Sequence, residues 1–375
     1  MRHGASGGLL SRLRERAREI GLGTLGVAPI APSNHAPALR RWLDRGHAGA
    51  MAWMHRTSLD SVDLTRRFPW ARSAVVVAQP YLPYQGDRRA QGGLLRHIAR
   101  YAVGSDYHTT LQERLESLAA FLRSEAPGAR TRTYVDTGPV LERELASRAG
   151  LGWFGKSTNL IAPRGDSWIL VGEILTSREI PPDEPVADHC GRCTACLDAC
   201  PTGAITEPYV VDATRCISYL TIELRGPIPE ERHADLGDWA FGCDICQEVC
   251  PWNRKVEPVA DRVFQPAPPL EAMSLADLVR TDDRRFLATF GDTALERPGR
   301  QGLVRNALIV AANTKDSEAL AAAVEALDDP DPVVRSTAAL SLGRSQGGAA
   351  RRAVDAAHRR EQDPSVRRDM ERALE

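Results

Sequence analysis

The distribution of cysteine constrains this chain more than any other feature of its sequence. All eight cysteines of the 375 residues lie between Cys190 and Cys250. The first four have the spacing C-x2-C-x2-C-x3-C-P of bacterial ferredoxins and are Cys190, Cys193, Cys196 and Cys200. Such a run places three thiolates on one 4Fe-4S cluster and directs the fourth to a neighbouring cluster. The sequence therefore predicts two clusters.

A second set of cysteines completes the ligands of both clusters. Cys243, Cys246 and Cys250 repeat the end of the ferredoxin spacing, and Cys216 stands 27 residues before Cys243. We interpret this gap as an insertion that displaces the first ligand of the run. The crossed pattern then assigns two ligand sets, which are Cys190, Cys193, Cys196 and Cys250 for the first cluster and Cys200, Cys216, Cys243 and Cys246 for the second.

Two other chemistries use clustered cysteines. Structural zinc sites favour paired C-x2-C hooks around a long loop and would leave the third cysteine of each run unused, so zinc is the weaker alternative. A radical S-adenosylmethionine enzyme needs C-x3-C-x2-C, but Gly203 and Asn253 stand where the last cysteine would be. Two clusters in one chain carry single electrons, so another part of the chain should receive them.

The rest of the sequence divides into two further parts. Before the cysteines, helical and strand periodicity alternate, which is typical of an α/β domain. Helices are predicted at residues 9–20 and 110–125, and strands at residues 25–30, 74–78, 133–135 and 168–175. Proline-rich residues 181–185 mark a boundary. We therefore predict an α/β domain at 1-180, a ferredoxin-like two-cluster domain at 181-257, and a linker with α-helical repeats at 258-375.

The C-terminal part contains an internal repeat. Asp331-Pro332-Val333-Val334-Arg335 recurs 32 residues later as Asp363-Pro364-Ser365-Val366-Arg367. Each copy places an Asp-Pro helix start before a Val-Arg pair, a pattern that resembles HEAT-like repeats but is shorter than their usual length. A plain helical bundle is the alternative interpretation.

Composition excludes few functions. Hydrophobic residues make up 43% of the chain and charged residues 26%, with a net charge of -1, so neither disorder nor a membrane span is favoured. Arg12 and Arg14 follow closely on the apolar residues near the N-terminus, which leaves no secretory signal. We expect a cytoplasmic protein that is a monomer and has no membrane partner.

Short motifs do not identify the electron acceptor. Histidine-bound cobalamin is usually marked by D-x-H-x-x-G, and the nearest match here, Asp106-Tyr107-His108, has Leu111 in place of the glycine. No G-x-G-x-x-G follows a predicted strand, so a dinucleotide fold is not indicated.

Four segments together resemble the epoxyqueuosine reductases, the cobalamin and iron–sulfur enzymes of tRNA queuosine biosynthesis. They are Arg100-Tyr101-Ala102 with Asp106-Tyr107-His108, then Tyr134-Val135-Asp136-Thr137-Gly138-Pro139, then Gly152-Trp153-Phe154-Gly155-Lys156 with Asn159-Leu160, and last Cys216 to Glu223 with the run that ends at Asn253. The C-terminal repeats fit the longer members of that family.

The resemblance implies a reaction. The epoxide of epoxyqueuosine, at the wobble position of tRNA, would be reduced to the alkene of queuosine with loss of water. The electrons would pass through the two clusters to cobalamin. Asp136 matches the acid of the family, and we expect burial to raise its pKa so that it holds a proton near neutral pH. From the residues alone, a cap for a helix that starts near Pro139 is the favoured interpretation of Asp136.

The resemblance also implies a binding site for base-off cobalamin. Its residues would be Arg100, Tyr101, Asp136, Lys156, Asn159 and Ser218. His108 is expected to be a hydrogen-bonded core histidine and receives no role. The external electron donor is not identified.

The implied macromolecular partner is tRNA. An enzyme that reaches a flipped wobble base would bind the anticodon stem-loop by its shape and backbone. Between residues 344 and 372 eight arginines stand against five acidic residues. These arginines form either a basic face for RNA or a solvated helix surface.

Two other functions remain open. A reductase of small molecules, similar to reductive dehalogenases, would use the same cluster motif and acid, although the repeats argue against it. An electron-transfer scaffold would use the clusters alone, and would leave residues 134–139 and 152–159 unexplained.

Overall fold

The computed structural model describes residues 8–345 and 347–375, so the first seven residues of the predicted domain 1-180 lie outside the described part. Helices and strands alternate before the cysteines, as the periodicity predicts. In chain order they are α1 Leu9–Glu19, β1 Thr24–Pro29, α2 Ala36–Asp44, α3 Ala52–Val62, β2 Ser73–Pro80, α4 Tyr107–Glu125, β3 Thr131–Tyr134, α5 Glu142–Arg148, β4 Trp153–Phe154, β5 Leu160–Ile161 and β6 Ile169–Thr176.

Four of the strands form a sheet in the order β1-β2-β6-β3, and every pair in it is antiparallel. Successive residues of a strand face opposite sides of the sheet. Val75 and Ile174 therefore pack with α1 and α4 on one face. Val76 and Leu175 pack with α5 on the other face. The two faces give the domain two hydrophobic layers.

Helix α4 brings functional residues to the end of the sheet. Its N-cap is Asp106, whose side chain accepts a hydrogen bond from the His108 backbone N–H at 2.9 Å. This cap explains why the helix begins at Tyr107, earlier than predicted. Its buried residues lie on the face toward the sheet and include Leu111, Leu115, Leu118 and Leu122.

The cysteine-bearing segment has little regular structure. Its elements are α6 Ala195–Ala199, β7 Ile205–Glu207, β8 Val210–Val211, a π-helix at Tyr219–Glu223 and α7 Ile245–Glu248. Its small core includes Ile217, Leu220, Leu236 and Trp239. The predicted boundaries near residues 180 and 257 both fall outside helices and strands.

The C-terminal part is helical. Its helices are α8 Pro268–Ala272, α9 Leu275–Val279, α10 Asp283–Phe290, α11 Gly299–Thr314, α12 Ser317–Glu325, α13 Pro332–Arg344, α14 Gly348–His358 and α15 Pro364–Leu374. Asp316, Asp331 and Asp363 cap α12, α13 and α15 through their side chains. No helix in the described part of the chain has the length and apolar character to cross a membrane.

The α/β domain and the helical domain share one hydrophobic core. Leu94, Leu95 and Ile98, which precede α4, are at most 2% exposed and pack with Leu270 and Phe290 of the helical part. The helices are therefore continuous with the rest of the molecule in their packing.

Helix α11 also contacts the cysteine-bearing segment through two buried side chains. Arg305, 1% exposed, donates to the carbonyl oxygens of Leu220 at 2.8 Å and Leu224 at 2.9 Å. Asn306 donates to the carbonyl of Thr221 at 2.8 Å. Burial lowers the pKa of Arg305 to about 10, and the charge of Arg225 contributes. These bonds satisfy backbone carbonyls of the π-helix that follows Cys216.

We predict that Arg305→Met destabilises the protein and lowers its iron content. Methionine fills a similar volume but leaves the carbonyls of Leu220 and Leu224 without this donor, which costs roughly 3 kcal/mol of unfolding free energy. Urea unfolding and iron analysis measure the two effects. Arg351→Met, on an exposed position of α14, is the matched control. Equal stability of the two variants would contradict the prediction.

Candidate active site

Asp136 lies in a strained turn just after β3. Its φ of 57° is in the left-handed region, which costs a residue other than glycine of the order of 1 kcal/mol or more. The Asp136 backbone N–H donates to Glu142 Oε1 at 2.5 Å, and the Thr137 N–H donates to the Val135 carbonyl at 2.7 Å. The N-cap of α5 is Leu141, so the interpretation of Asp136 as its helix cap is wrong.

The carboxylate of Asp136 faces the start of α4. The Tyr107 hydroxyl donates to its Oδ2 at 2.7 Å. His108 Nε2 lies 3.6 Å from the same oxygen, and His108 Nδ1 lies 2.8 Å from Asp106 Oδ1. The imidazole thus stands between two carboxylates. The solvent reaches 58% of the Asp136 side chain and 34% of His108, so Asp136 is the outer group.

These contacts decide where the proton resides. Desolvation by neighbouring residues opposes the charge on Asp136, although much of its side chain is exposed, but polar contacts with His108 and Tyr107 outweigh it and lower the pKa of Asp136. The predicted rise in that pKa is therefore wrong, because the prediction counted burial and not the partners. Burial likewise opposes the charge on His108, but contacts with Asp106 and Asp136 raise its pKa to about 9. Near neutral pH the proton is on His108.

His108 is a site residue that sequence reasoning missed. The signal was an aspartate two positions before a histidine at a helix start, where the aspartate can cap the helix and orient the ring. The contact of His108 with its second partner, Asp136, could not be predicted from neighbouring residues, because Asp136 stands 28 positions later in the chain.

Two further carboxyl groups lie close to Asp136. Burial, and then the charge of Asp136, raise the pKa of Glu142 to about 8. Glu173 in β6 is fully buried, and neither of its carboxyl oxygens has a hydrogen-bond partner among the described residues. Burial, and then the charges of Glu142 and Asp136, raise the pKa of Glu173 well above its usual range. The site therefore holds neutral acids beside an ionised one.

The first set of cysteines surrounds a cavity of about 310 Å³. Cys190, Cys193, Cys196 and Cys250 all line it, and Cys246 reaches it from the second set. Burial raises the pKa of Cys250, and the charges of Cys190 and Cys193 raise it further. The end of the second run thus lies against the first run, as the crossed assignment requires.

The second set of cysteines is half-buried throughout, whereas Cys193 of the first set is exposed. Burial, and then the charge of Cys216, raise the pKa of Cys246 to about 12. Burial, and later the charge of Cys200, raise the pKa of Cys216. Burial opposes the charge on Cys200 itself, but hydrogen bonds from Thr202 and Ala204 lower its pKa. Proximity of Cys200 to Cys216 is the other half of the crossed pattern.

The residues expected to bind cobalamin occupy different places. Arg100 is 4% exposed and donates to Glu248 Oε1 at 2.6 Å, to Asp244 Oδ2 at 3.3 Å and to the carbonyl of Gly86 at 2.9 Å. Its guanidinium is bound within the protein. Tyr101 is half-buried, with its ring centroid 6.0 Å from that of Tyr107.

The remaining three residues of that set contact the cluster segments. Lys156 donates to the carbonyls of Gly191 at 2.7 Å and Cys193 at 2.9 Å. Asn159 Nδ2 donates to Cys246 Sγ at 3.5 Å. Burial raises the pKa of Cys216, and Ser218, two residues further along the chain, opposes that rise.

Family models match most parts of this arrangement. Residues 189–253 match the 4Fe-4S double cluster binding domain, and residues 294–375 match HEAT repeats. Both predictions are confirmed: the chain is a double-cluster iron–sulfur protein with C-terminal HEAT repeats. Residues 62–137, which end at the aspartate turn, match the family described as "Epoxyqueuosine reductase QueG, DUF1730".

Similar proteins agree over nearly the whole length. Epoxyqueuosine reductase of Escherichia coli (strain K12) is 36% identical over 87% of this chain and 86% of its own length, and that of Pseudomonas aeruginosa is 35% identical over 90% and 94%. The chain belongs to the epoxyqueuosine reductase family.

Solved structures give the same result. An epoxyqueuosine reductase with an epoxyqueuosine-modified stem loop of tyrosine tRNA has a TM-score of 0.90 at 31% identity, with 98% of both chains covered. The enzyme of Bacillus subtilis, with its catalytic aspartate loop swung out of the active site, has a TM-score of 0.88 at 31% identity.

The crossed assignment predicts which cysteine variants behave alike. Cys250→Ser should lose the same electron paramagnetic resonance signal as Cys193→Ser, and Cys200→Ser the same signal as Cys216→Ser, because each pair shares a cluster. Spectra of the dithionite-reduced proteins and their iron content test this. If Cys250→Ser and Cys243→Ser lose the same signal, the assignment is wrong.

Proposed function

We propose that this chain reduces the epoxide of epoxyqueuosine, at the wobble position of tRNA, to the alkene of queuosine. The observation that carries the proposal is the Asp136 carboxylate, held in a strained turn by Tyr107 and His108. Family membership and the fold it shares with a tRNA-bound relative support it. The structure with a catalytic aspartate loop supports the same role for the turn at Asp136.

The reaction consumes two electrons and two protons, and the epoxide oxygen leaves as water. When bound, the two clusters supply electrons one at a time and cobalamin supplies a cobalt centre that can engage the epoxide-bearing ring. The side chains of this chain must then hold the substrate and deliver both protons to one oxygen.

Tyr101 and Asp136 fit a cobalamin bound between the acid and the second cluster. The ring centroid of Tyr101 lies 6.0 Å from that of Tyr107, which is bonded to Asp136, and 6.0 Å from that of Phe241, which precedes Cys243, so this ring lies between the turn and the second run. A flat cofactor here would meet a half-buried aromatic ring. Ser218, beside Cys216, would contact the cofactor on the side of the second cluster. Arg100 does not fit, because its guanidinium is already bound to protein groups.

Asp136 and His108 would deliver the first proton as a unit. Asp136 is the more exposed of the two and is placed to meet the departing oxygen. His108 carries the proton near neutral pH and would pass it to the departing oxygen through the Asp136 carboxylate, whose Oδ2 lies 3.6 Å from His108 Nε2. Glu142, whose pKa is about 8 and which is bonded to the Asp136 N–H, is a neutral acid beside Asp136 and would supply the second proton.

The anticodon stem-loop would bind across the HEAT repeats and the exposed turn at Asp136. Three arginines of the expected basic face are paired with acids: Arg359 with Asp355, Arg360 with Asp328, and Arg372 with Asp369 and Glu230. The face is therefore less positive than its composition indicates. Contacts to the backbone and shape of the RNA, rather than bulk charge, account for binding in this proposal.

Mass spectrometry of the nucleoside tests the proposed reaction. Protein loaded anaerobically with iron and cobalamin is incubated with a reductant and tRNA that carries epoxyqueuosine. We expect the nucleoside to lose one oxygen. No loss from protein that contains both iron and cobalt would overturn the proposal in favour of a small-molecule reductase. Protein that retains iron but never binds cobalt would favour the electron-transfer scaffold.

The pH dependence tests the proton donors. Because Glu142 and His108 are protonated only below about 8 and about 9, the single-turnover rate should fall as the pH rises through those values. His108→Asn should lower the rate at neutral pH by roughly 100-fold and remove the upper part of the pH dependence. Iron and cobalt contents equal to those of the unmodified protein are the control. An unchanged pH profile in His108→Asn would contradict the role of His108.

A further inference from the structure

We propose that Asn159 raises the reduction potential of the second cluster, the one assigned to Cys200, Cys216, Cys243 and Cys246. Asn159 belongs to the α/β domain and lies in the loop between β4 and β5. The proposal depends on the crossed assignment of the cysteines and not on which substrate is reduced. A residue of the α/β domain would then set the potential of a cluster to which that domain contributes no ligand.

The loop that carries Asn159 is held rigidly. The Gly155 N–H donates to the Asn159 carbonyl at 2.8 Å, and the Thr158 N–H donates to the Gly155 carbonyl at 2.8 Å. Arg143 of α5 donates to the Thr158 carbonyl at 2.6 Å. With its backbone fixed in this way, Asn159 presents its amide to Cys246 Sγ at 3.5 Å, across 87 positions of sequence.

A hydrogen bond to a ligand sulfur stabilises the more negative, reduced state of a cluster and so raises its potential. The second cluster needs such donors, since its ligands Cys243 and Cys246 are both half-buried and burial disfavours the added negative charge. Cys200 receives its donors, Thr202 at 3.4 Å and Ala204 at 3.3 Å, from its own segment. Cys246 receives the amide of Asn159 from another domain.

Lys156 provides a contrast on the same loop. Its ammonium donates to the carbonyl oxygens of Gly191 and Cys193, in the first cysteine run, and not to a sulfur. The loop therefore contacts both cluster segments, but only Asn159 places an N–H on a thiolate of the second set. A change at Asn159 should act on one cluster alone.

The test is a potentiometric titration of the anaerobically loaded full-length protein, without tRNA or cobalamin, followed by electron paramagnetic resonance. The signal of the second cluster is identified as the one lost in Cys200→Ser. Asn159→Leu, of similar size but without a donor, should shift the midpoint of that signal to more negative potential and leave the other midpoint unchanged. Lys156→Met is the matched control and should leave the midpoint of the second cluster unchanged.

Asn159→Asp keeps the shape of the side chain and replaces the donor with an acceptor, so it serves if Asn159→Leu fails to bind iron. We expect a negative shift at least as large as in the leucine variant. A midpoint equal to that of the unmodified protein, in either variant with full iron content, would overturn the proposal. Because no substrate is present, failure here and failure of the proposed reaction are distinguishable.

Discussion

Two buried arginines from different domains hold a cysteine-bearing segment that has little structure of its own. Arg100 of the α/β domain binds Asp244 and Glu248 beside the second cysteine run, and Arg305 of the HEAT repeats binds backbone carbonyls after Cys216. A buried guanidinium is stable only where acceptors surround it, so each arginine fixes the backbone it contacts. The geometry of eight thiols thus depends on both neighbouring domains.

The turn at Asp136 combines backbone strain with an uneven distribution of protons. A residue other than glycine in the left-handed region persists only when its surroundings fix it, and here Glu142 and Tyr107 do so. The groups around the turn also differ in protonation. Asp136 is ionised, whereas His108 and Glu142 keep their protons to higher pH. Neighbouring acids with separated pKa values are a common arrangement where two protons must be delivered.

The sequence was sufficient wherever the determining interactions are local. Cysteine spacing predicts two clusters because the ligands of a run are neighbours in the chain, and the periodicity of Leu111 to Leu122 predicts α4 for the same reason. It was insufficient where a partner comes from a distant element. The pKa of Asp136 depends on His108 at the start of α4, and the environment of Arg100 and Asn159 depends on residues of the second run. No pattern of neighbouring residues predicts these contacts between distant parts of the chain.

The core shared by residues 94–98 and the C-terminal helices has a consequence for synthesis on the ribosome. Leu94, Leu95 and Ile98 are made early, but the helices that cover them, including α11, are made after the last cysteine. At about 5–20 residues per second, the nascent chain therefore carries a complete set of thiols for several seconds before Arg305 can close over the π-helix. During that interval the carbonyls of Leu220 and Leu224 lack the donor that Arg305 supplies in the finished protein.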